Sequence, residues 1–133
     1  MRALVIGLIL SVLTIASSAQ VIRFKAVEVS YRELNERTNV WGEFSKWEPS
    51  NILIVMNLDE STIDIYAKAP YQLYAYSSFE KVIEDGLELL RFKCVDDSGL
   101  KCESVFVKQA VTGNQFLVVE YSNFEFMYHI TDF

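Results

Sequence analysis

The sequence predicts an all-β domain: a single antiparallel meander of eight strands, with a closed barrel favoured over a two-sheet sandwich. Three observations lead there. Apolar residues recur in successive stretches with the period of two that a half-buried strand requires. Short turn signatures such as Asp85-Gly86, Asp97-Ser98-Gly99 and Ser122-Asn123 separate those stretches, so neighbouring strands are joined as hairpins. Finally, within Leu87–Lys108, one register centred on Ser98 sets Cys94 across from Cys102, Lys93 across from Glu103, Leu90 across from Phe106 and Leu89 across from Val107, which satisfies charge and apolarity together. Eight such strands can close with no exposed edge, around an interior just wide enough for side chains or one small ligand.

The chain opens with MRALVIGLILSVLTIASSA, which has one basic residue (Arg2), an apolar run from Ala3 to Ala16, and small residues at Ser17 and Ala19. Residues 1–19 therefore read as a secretory signal peptide cleaved before Gln20. A membrane anchor is the rival reading, but the uninterrupted apolar run falls short of the roughly 20 residues a bilayer needs. No cysteine stands at the cleavage point for lipid attachment. The expected mature protein is residues 20–133, one domain, secreted or periplasmic, with no membrane insertion. Twelve basic and 18 acidic residues become 11 and 18 once Arg2 leaves, a formal charge of −7. That sign argues against nucleic acid and anionic membrane surfaces as partners.

From Val21 to Arg32 the alternation slips in phase: Ile22, Phe24 and Ala26 share one face, whereas Val27, Val29 and Tyr31 follow the other parity. A β-bulge absorbs such a slip, so a long, bent first strand is expected. The polar stretch LNERTNVWGEFSKWEPS carries Trp41, Phe44 and Trp47 and reads as a wide connection with a short strand, folded over one end of the domain. Asn51–Leu58 is a strong strand with Ile52, Ile54, Met56 and Leu58 on its inner face. A four-residue loop, Asp59–Thr62, then places Leu58 across from Ile63 and Met56 across from Ile65. After Ala69-Pro70, a strand from Tyr71 to Ser78 turns Leu73 one way and Tyr74 and Tyr76 the other.

Residues 78–84 are ambiguous. Ser78 can cap a short helix that buries Phe79, Val82 and Ile83. Asp85-Gly86, however, is a strong type I′ hairpin signal that sets Phe79 opposite Phe92, Glu80 opposite Arg91 and Val82 opposite Leu89, and the strand is preferred. Val111–Asn114 is a turn, after which Gln115–Tyr121 and Phe124–Thr131 pair with Val119 facing Phe126 and Leu117 facing Tyr128. The same register puts Glu120 across from Glu125, unfavourable unless solvent or a cation separates them.

Both cysteines lie in the exported part, across a tight hairpin, and a disulfide between Cys94 and Cys102 is expected. The loop-entropy model assigns about 2.5 kcal/mol to so small a ring. The spacing does not suit a CxxC redox centre, and a lone His129 with two thiols falls short of a zinc site. No metal or cofactor is expected.

Trp41 and Trp47 ahead of Asn51-Ile-Leu-Ile-Val, then Ile63-Asp-Ile-Tyr66, then Cys94-Val-Asp-Asp-Ser-Gly-Leu-Lys-Cys102 resemble, in spacing more than identity, a group of small secreted β proteins of Bacteroidetes. The group has no assigned activity. The resemblance implies an exported β domain with a hairpin cystine and brings no site residues with it.

No catalytic set stands out. A nucleophile needs a base and an orienting group beside it, and His129 alternates with Met127 and Thr131 on the last strand as an outward or rim residue. The carboxylates Asp59, Glu60, Asp85, Asp96 and Asp97 fall at turns, where solvation accounts for them; Asp96 and Asp97 lack EF-hand spacing for Ca²⁺. The aromatic content of 14% is the departure that points to binding. Strands favour aromatics for packing, so core packing or loop anchoring is the competing reading; Trp41 and Trp47 in the irregular connection, with Tyr74 and Tyr76 on one strand face, are the candidate contact residues. The favoured reading is a non-enzymatic binding module whose barrel mouth, lined by Trp41 and Trp47, takes a small apolar or glycan ligand. The alternative is an interaction or structural protein of the cell envelope with a filled barrel and a protein partner on Tyr74 and Tyr76.

Overall fold

The computed structural model of the protein describes residues 20–77 and 80–133. The expected leader, residues 1–19, and the positions of Ser78 and Phe79 lie outside them. The described residues form β1 (Val21–Asn35), β2 (Val40–Trp41), β3 (Glu48–Asn57), β4 (Thr62–Tyr66), β5 (Tyr71–Ala75), β6 (Glu80–Glu84), β7 (Leu87–Asp96), β8 (Lys101–Gln109), β9 (Gln115–Glu120) and β10 (Phe124–Asp132), with no helix among them. Strands β1, β3, β4, β5, β7, β8, β9 and β10 pair in that order, all antiparallel, and β10 returns to β1, so eight strands close a barrel. The two extra strands are local: β2 folds back on Leu34 and Asn35, and β6 pairs with the first half of β7.

The long first strand bends where its phase slips. Its pairing with both β3 and β10 shifts between Ala26 and Glu28, which lets Val29 and Tyr31 stand opposite Tyr128 and Phe126, on the same wall that Phe24 and Ala26 line. Ile54, Ile65, Leu73, Cys94, Ser104, Leu117 and Val119 are fully buried and fill the waist. The lumen opens at two ends. The near mouth lies where β1 begins, beside the turns at 58–61, 85–86 and 110–114; the far mouth lies among the turns at 67–70, 97–100 and 121–123.

The Cys94 hairpin has the register its side chains predict, including Lys93 with Glu103 and Leu90 with Phe106. Gly99 closes its turn at φ 88°, a conformation that costs glycine little because it has no Cβ. Residues 80–84 are a strand, joined to β7 through Asp85 (φ 50°) and Gly86 (φ 76°), as a type I′ turn demands.

Three expectations need correction. First, β3 and β4 pair two residues out of the expected register: Met56 meets Ile63 and Ile54 meets Ile65. The faces survive because a shift of two preserves parity. The loop is Leu58–Ser61, set by Asn57, whose side-chain oxygen accepts the Asp59 and Glu60 amides at 3.0 and 3.1 Å; Leu58 N–H donates instead to Gln20 O at 2.9 Å. Second, the Trp41–Trp47 connection does not cover an end of the barrel. It straps the outer face of β1 and β10, where Ser30 Oγ donates to Ser45 O at 2.7 Å and Tyr31 N–H donates to Ser45 Oγ. Third, Cys94 and Cys102 face each other as two free, buried thiols, not a disulfide. Asp96 N–H donates to Leu100 O, so by alternation 94 and 102 are also a hydrogen-bonded pair, in which side chains stand farther apart than in the intervening pairs.

Candidate functional site: an aromatic cup at the far mouth

The far mouth holds a cup of about 580 Å³, within the range of small-molecule sites. Its walls come from strand ends that the three turns bring together. Tyr71 follows Pro70 at the start of β5, Tyr121 follows the last residue of β9, and Phe124, Phe126 and Tyr128 alternate along the inner face of β10. Period-two geometry alone puts the three β10 rings on one wall. Phe126 lies 4.8 Å from Phe124 and 6.1 Å from Tyr128 between ring centroids, and Tyr31 stacks on Phe124 at 5.7 Å.

Lys68 and Asn123 also line the cup; its other polar groups are held by one another and by the β7–β8 turn. Tyr71 and Tyr128 hydroxyls meet at 2.6 Å. Tyr121 O–H donates to Asp96 Oδ2 at 3.0 Å, while Asp96 Oδ1 accepts the Ser98 and Leu100 amides at 2.9 and 2.8 Å. Asp96 is thus more than a solvated turn residue: it holds the β7–β8 turn and orients Tyr121. Burial pushes the Tyr71 and Tyr121 phenols up from their ordinary value. Burial also raises Tyr128, to about 12, with the Tyr71 hydrogen bond opposing it. All three are therefore neutral hydroxyls at physiological pH, suited to hydrogen bonding rather than to proton abstraction.

Of the candidate contact residues Trp41, Trp47, Tyr74 and Tyr76, none lines this cup. Trp41 and Tyr76 border a shallow outer groove of about 530 Å³ with Lys93, Lys101, Glu103 and Glu120. Trp47 packs on the outer face against Phe116 and His129, at 6.0 and 6.3 Å. Tyr74 points outward and is exposed. His129 points outward, as its alternation implies, and its Nδ1 lies 3.1 Å from Glu28 Oε2. The reason is the strap: it carries both tryptophans along the outside of the wall rather than across the opening. The cup residues were marked in the sequence by a different signal, tyrosines at inward parity close to strand ends that hairpin order brings to one mouth.

Beneath the strap, a row of charges crosses five neighbouring strands. Lys93 faces Glu103, Glu103 faces Glu120, Glu120 faces Glu125 and Glu125 faces Arg32. A cation does relieve the Glu120–Glu125 pair: Arg32 Nε bonds the buried Glu125 at 2.5 Å, and its guanidinium lies over the rings of Trp41 and Phe44, 4.9 and 4.7 Å from their centroids. Glu120 has no ion pair among the described residues, and burial together with Glu125 and Glu103 raises its carboxyl above the usual value, against the opposing charges of Arg32 and Arg91. Among the described residues no group of three or more His, Cys, Asp or Glu side chains is placed to hold a metal ion, and no helix is long and apolar enough to cross a membrane.

Comparison with protein families, with curated proteins and with solved structures finds no match to this chain.

Proposed function

We propose that the protein is an exported, non-enzymatic binding module that takes a small apolar or glycan ligand in the far-mouth cup. One observation carries the reading: an open aromatic cavity whose few polar atoms converge on it from opposite walls while the waist beneath is packed solid. Ring faces of Phe124 and Phe126 suit stacking on a flat or alicyclic ligand, and the Tyr121–Asp96 pair supplies a donor and an acceptor at one side to orient it. Export rests on the apolar leader with its small residues before Gln20. The test is native mass spectrometry of the mature protein isolated gently from its own source, together with a Phe126→Ala variant purified alongside. A reproducible small-molecule adduct on the parent that the variant lacks supports the proposal; a bare parent monomer, or an adduct retained by the variant, overturns it.

The exposed tyrosines favour a second reading. Tyr66, Tyr74 and Tyr76 are 53%, 47% and 56% accessible and lie outside the barrel, which supports a protein partner on the β4–β5 face. A dimer or mixed complex in the same measurement, abolished by Tyr74→Ser with Tyr76→Ser, supports that reading instead.

A further inference from the structure

The near mouth carries a second cavity, of about 320 Å³, independent of the cup and separated from it by the packed waist. Its deep walls are apolar: Phe24, Met56, Leu90 and Phe106, with Phe24 and Phe106 rings 5.7 Å apart. Its rim is not. In register, Lys81 faces Leu90 and Lys108 faces Glu88, so these three charged residues share the inner parity of Leu90 and Phe106 and stand above the apolar floor. A soluble barrel with a merely filled interior has no need of charged side chains at inward positions. Lys81 lies 3.8 Å from Glu88, which leaves Lys108 without an ion pair among the described residues and the rim with one net positive charge.

Beside this cavity, β6 pairs with β7 alone among the described strands. Met56 and Leu58 on one side and Lys81 on the other border the cavity, and no ladder among the described strands joins them, which leaves a lateral way in for a linear chain.

We propose that this cavity binds a medium-chain carboxylate, with the hydrocarbon on the Phe24–Phe106 floor and the carboxylate at Lys108. The volume equals about ten water-sized volumes, room for a chain of about ten carbons. An anion is matched by the uncompensated lysine, whereas a quaternary ammonium of the same length meets like charge.

Isothermal titration of the full mature chain with decanoate, 1-decanol and decyltrimethylammonium tests this. Decanoate is expected to bind at one site, at least ten-fold more tightly than decyltrimethylammonium. Lys108→Gln is expected to weaken decanoate ten-fold or more, leave decanol within two-fold and keep the melting temperature. Absence of decanoate binding, equal affinity for the cationic amphiphile, or indifference to Lys108→Gln overturns the proposal. Phe126→Ala separates the two sites: loss of decanoate binding there places the ligand in the far-mouth cup and also overturns it, while the cup proposal stands or falls on its own adduct.

Discussion

Tyr71 on β5 and Tyr128 on β10 stand on strands four places apart in a ring of eight, so their 2.6 Å hydroxyl contact spans the lumen. It joins opposite walls where no backbone ladder can, and it gives each largely buried phenol the partner that burial demands. The floor of the cup is therefore a fixed polar bridge rather than a loose apolar surface.

Removing one half of the bridge leaves the other hydroxyl without its partner. Tyr128→Phe is expected to cost about 1–2 kcal/mol in urea unfolding, and Tyr71→Phe about as much. The double substitution is expected to cost clearly less than the sum, because it leaves no stranded hydroxyl. Strict additivity would mean that the bridge does not bind the walls together.

The strap gives a contrasting prediction. Trp41→Ala takes one ring from the Arg32 guanidinium and is expected to lower the melting temperature without changing affinity at the cup, from which Trp41 is absent. Arg32→Ala leaves Glu125, whose side chain is 9% exposed, without its cation. A loss of about 2 kcal/mol is expected, below that of a fully buried pair because the Arg32 side chain is 28% exposed. Arg32→Lys should recover only part of it, since an ammonium neither stacks nor forks as a guanidinium does. Full rescue by lysine would assign the contribution to charge alone.

These two regions show what sequence reasoning reaches. Hairpin registers about Ser98, Asp85-Gly86 and Ser122-Asn123 were legible because short turns fix pairing and period-two faces check it. The β3–β4 register was not, because a shift of two leaves every face unchanged and only the Asn57 side chain decides where the loop begins. Trp41 and Trp47 stood out by composition, but which wall an irregular connection crosses depends on contacts such as Ser30 with Ser45, 15 residues apart. Tyr71 and Tyr128 lie 57 residues apart and become neighbours only when the barrel closes, which nothing local announces.

Glu120 sets a pH dependence. Its folded carboxyl is raised above the ordinary value of 4.5 by burial, Glu125 and Glu103, so folding favours the protonated form. The contribution is fully present below the unfolded value and is lost as pH rises through the folded one. Glu120→Gln is therefore expected to raise the melting temperature at pH 7, to leave it nearly unchanged at pH 4, and so to make the change in melting temperature from pH 4 to pH 7 more positive than in the parent. An equal gain at both pH values would trace the effect to something other than ionisation.

Cys94 and Cys102 are 0% and 7% exposed. The Cys102 thiol donates to Cys94, which holds Cys94 below the ordinary thiol value; the same hydrogen bond, with burial, pushes Cys102 up. Only the thiolate reacts, and the sulfur whose thiolate is stabilised is the one fully enclosed. The native protein is therefore expected to react slowly with a thiol reagent, at a rate set by opening of the β7–β8 hairpin, and to show two thiols in denaturant. Intact mass should be unchanged by reduction. A gain of two hydrogens would establish a cystine across the β7–β8 hairpin in place of the two free thiols.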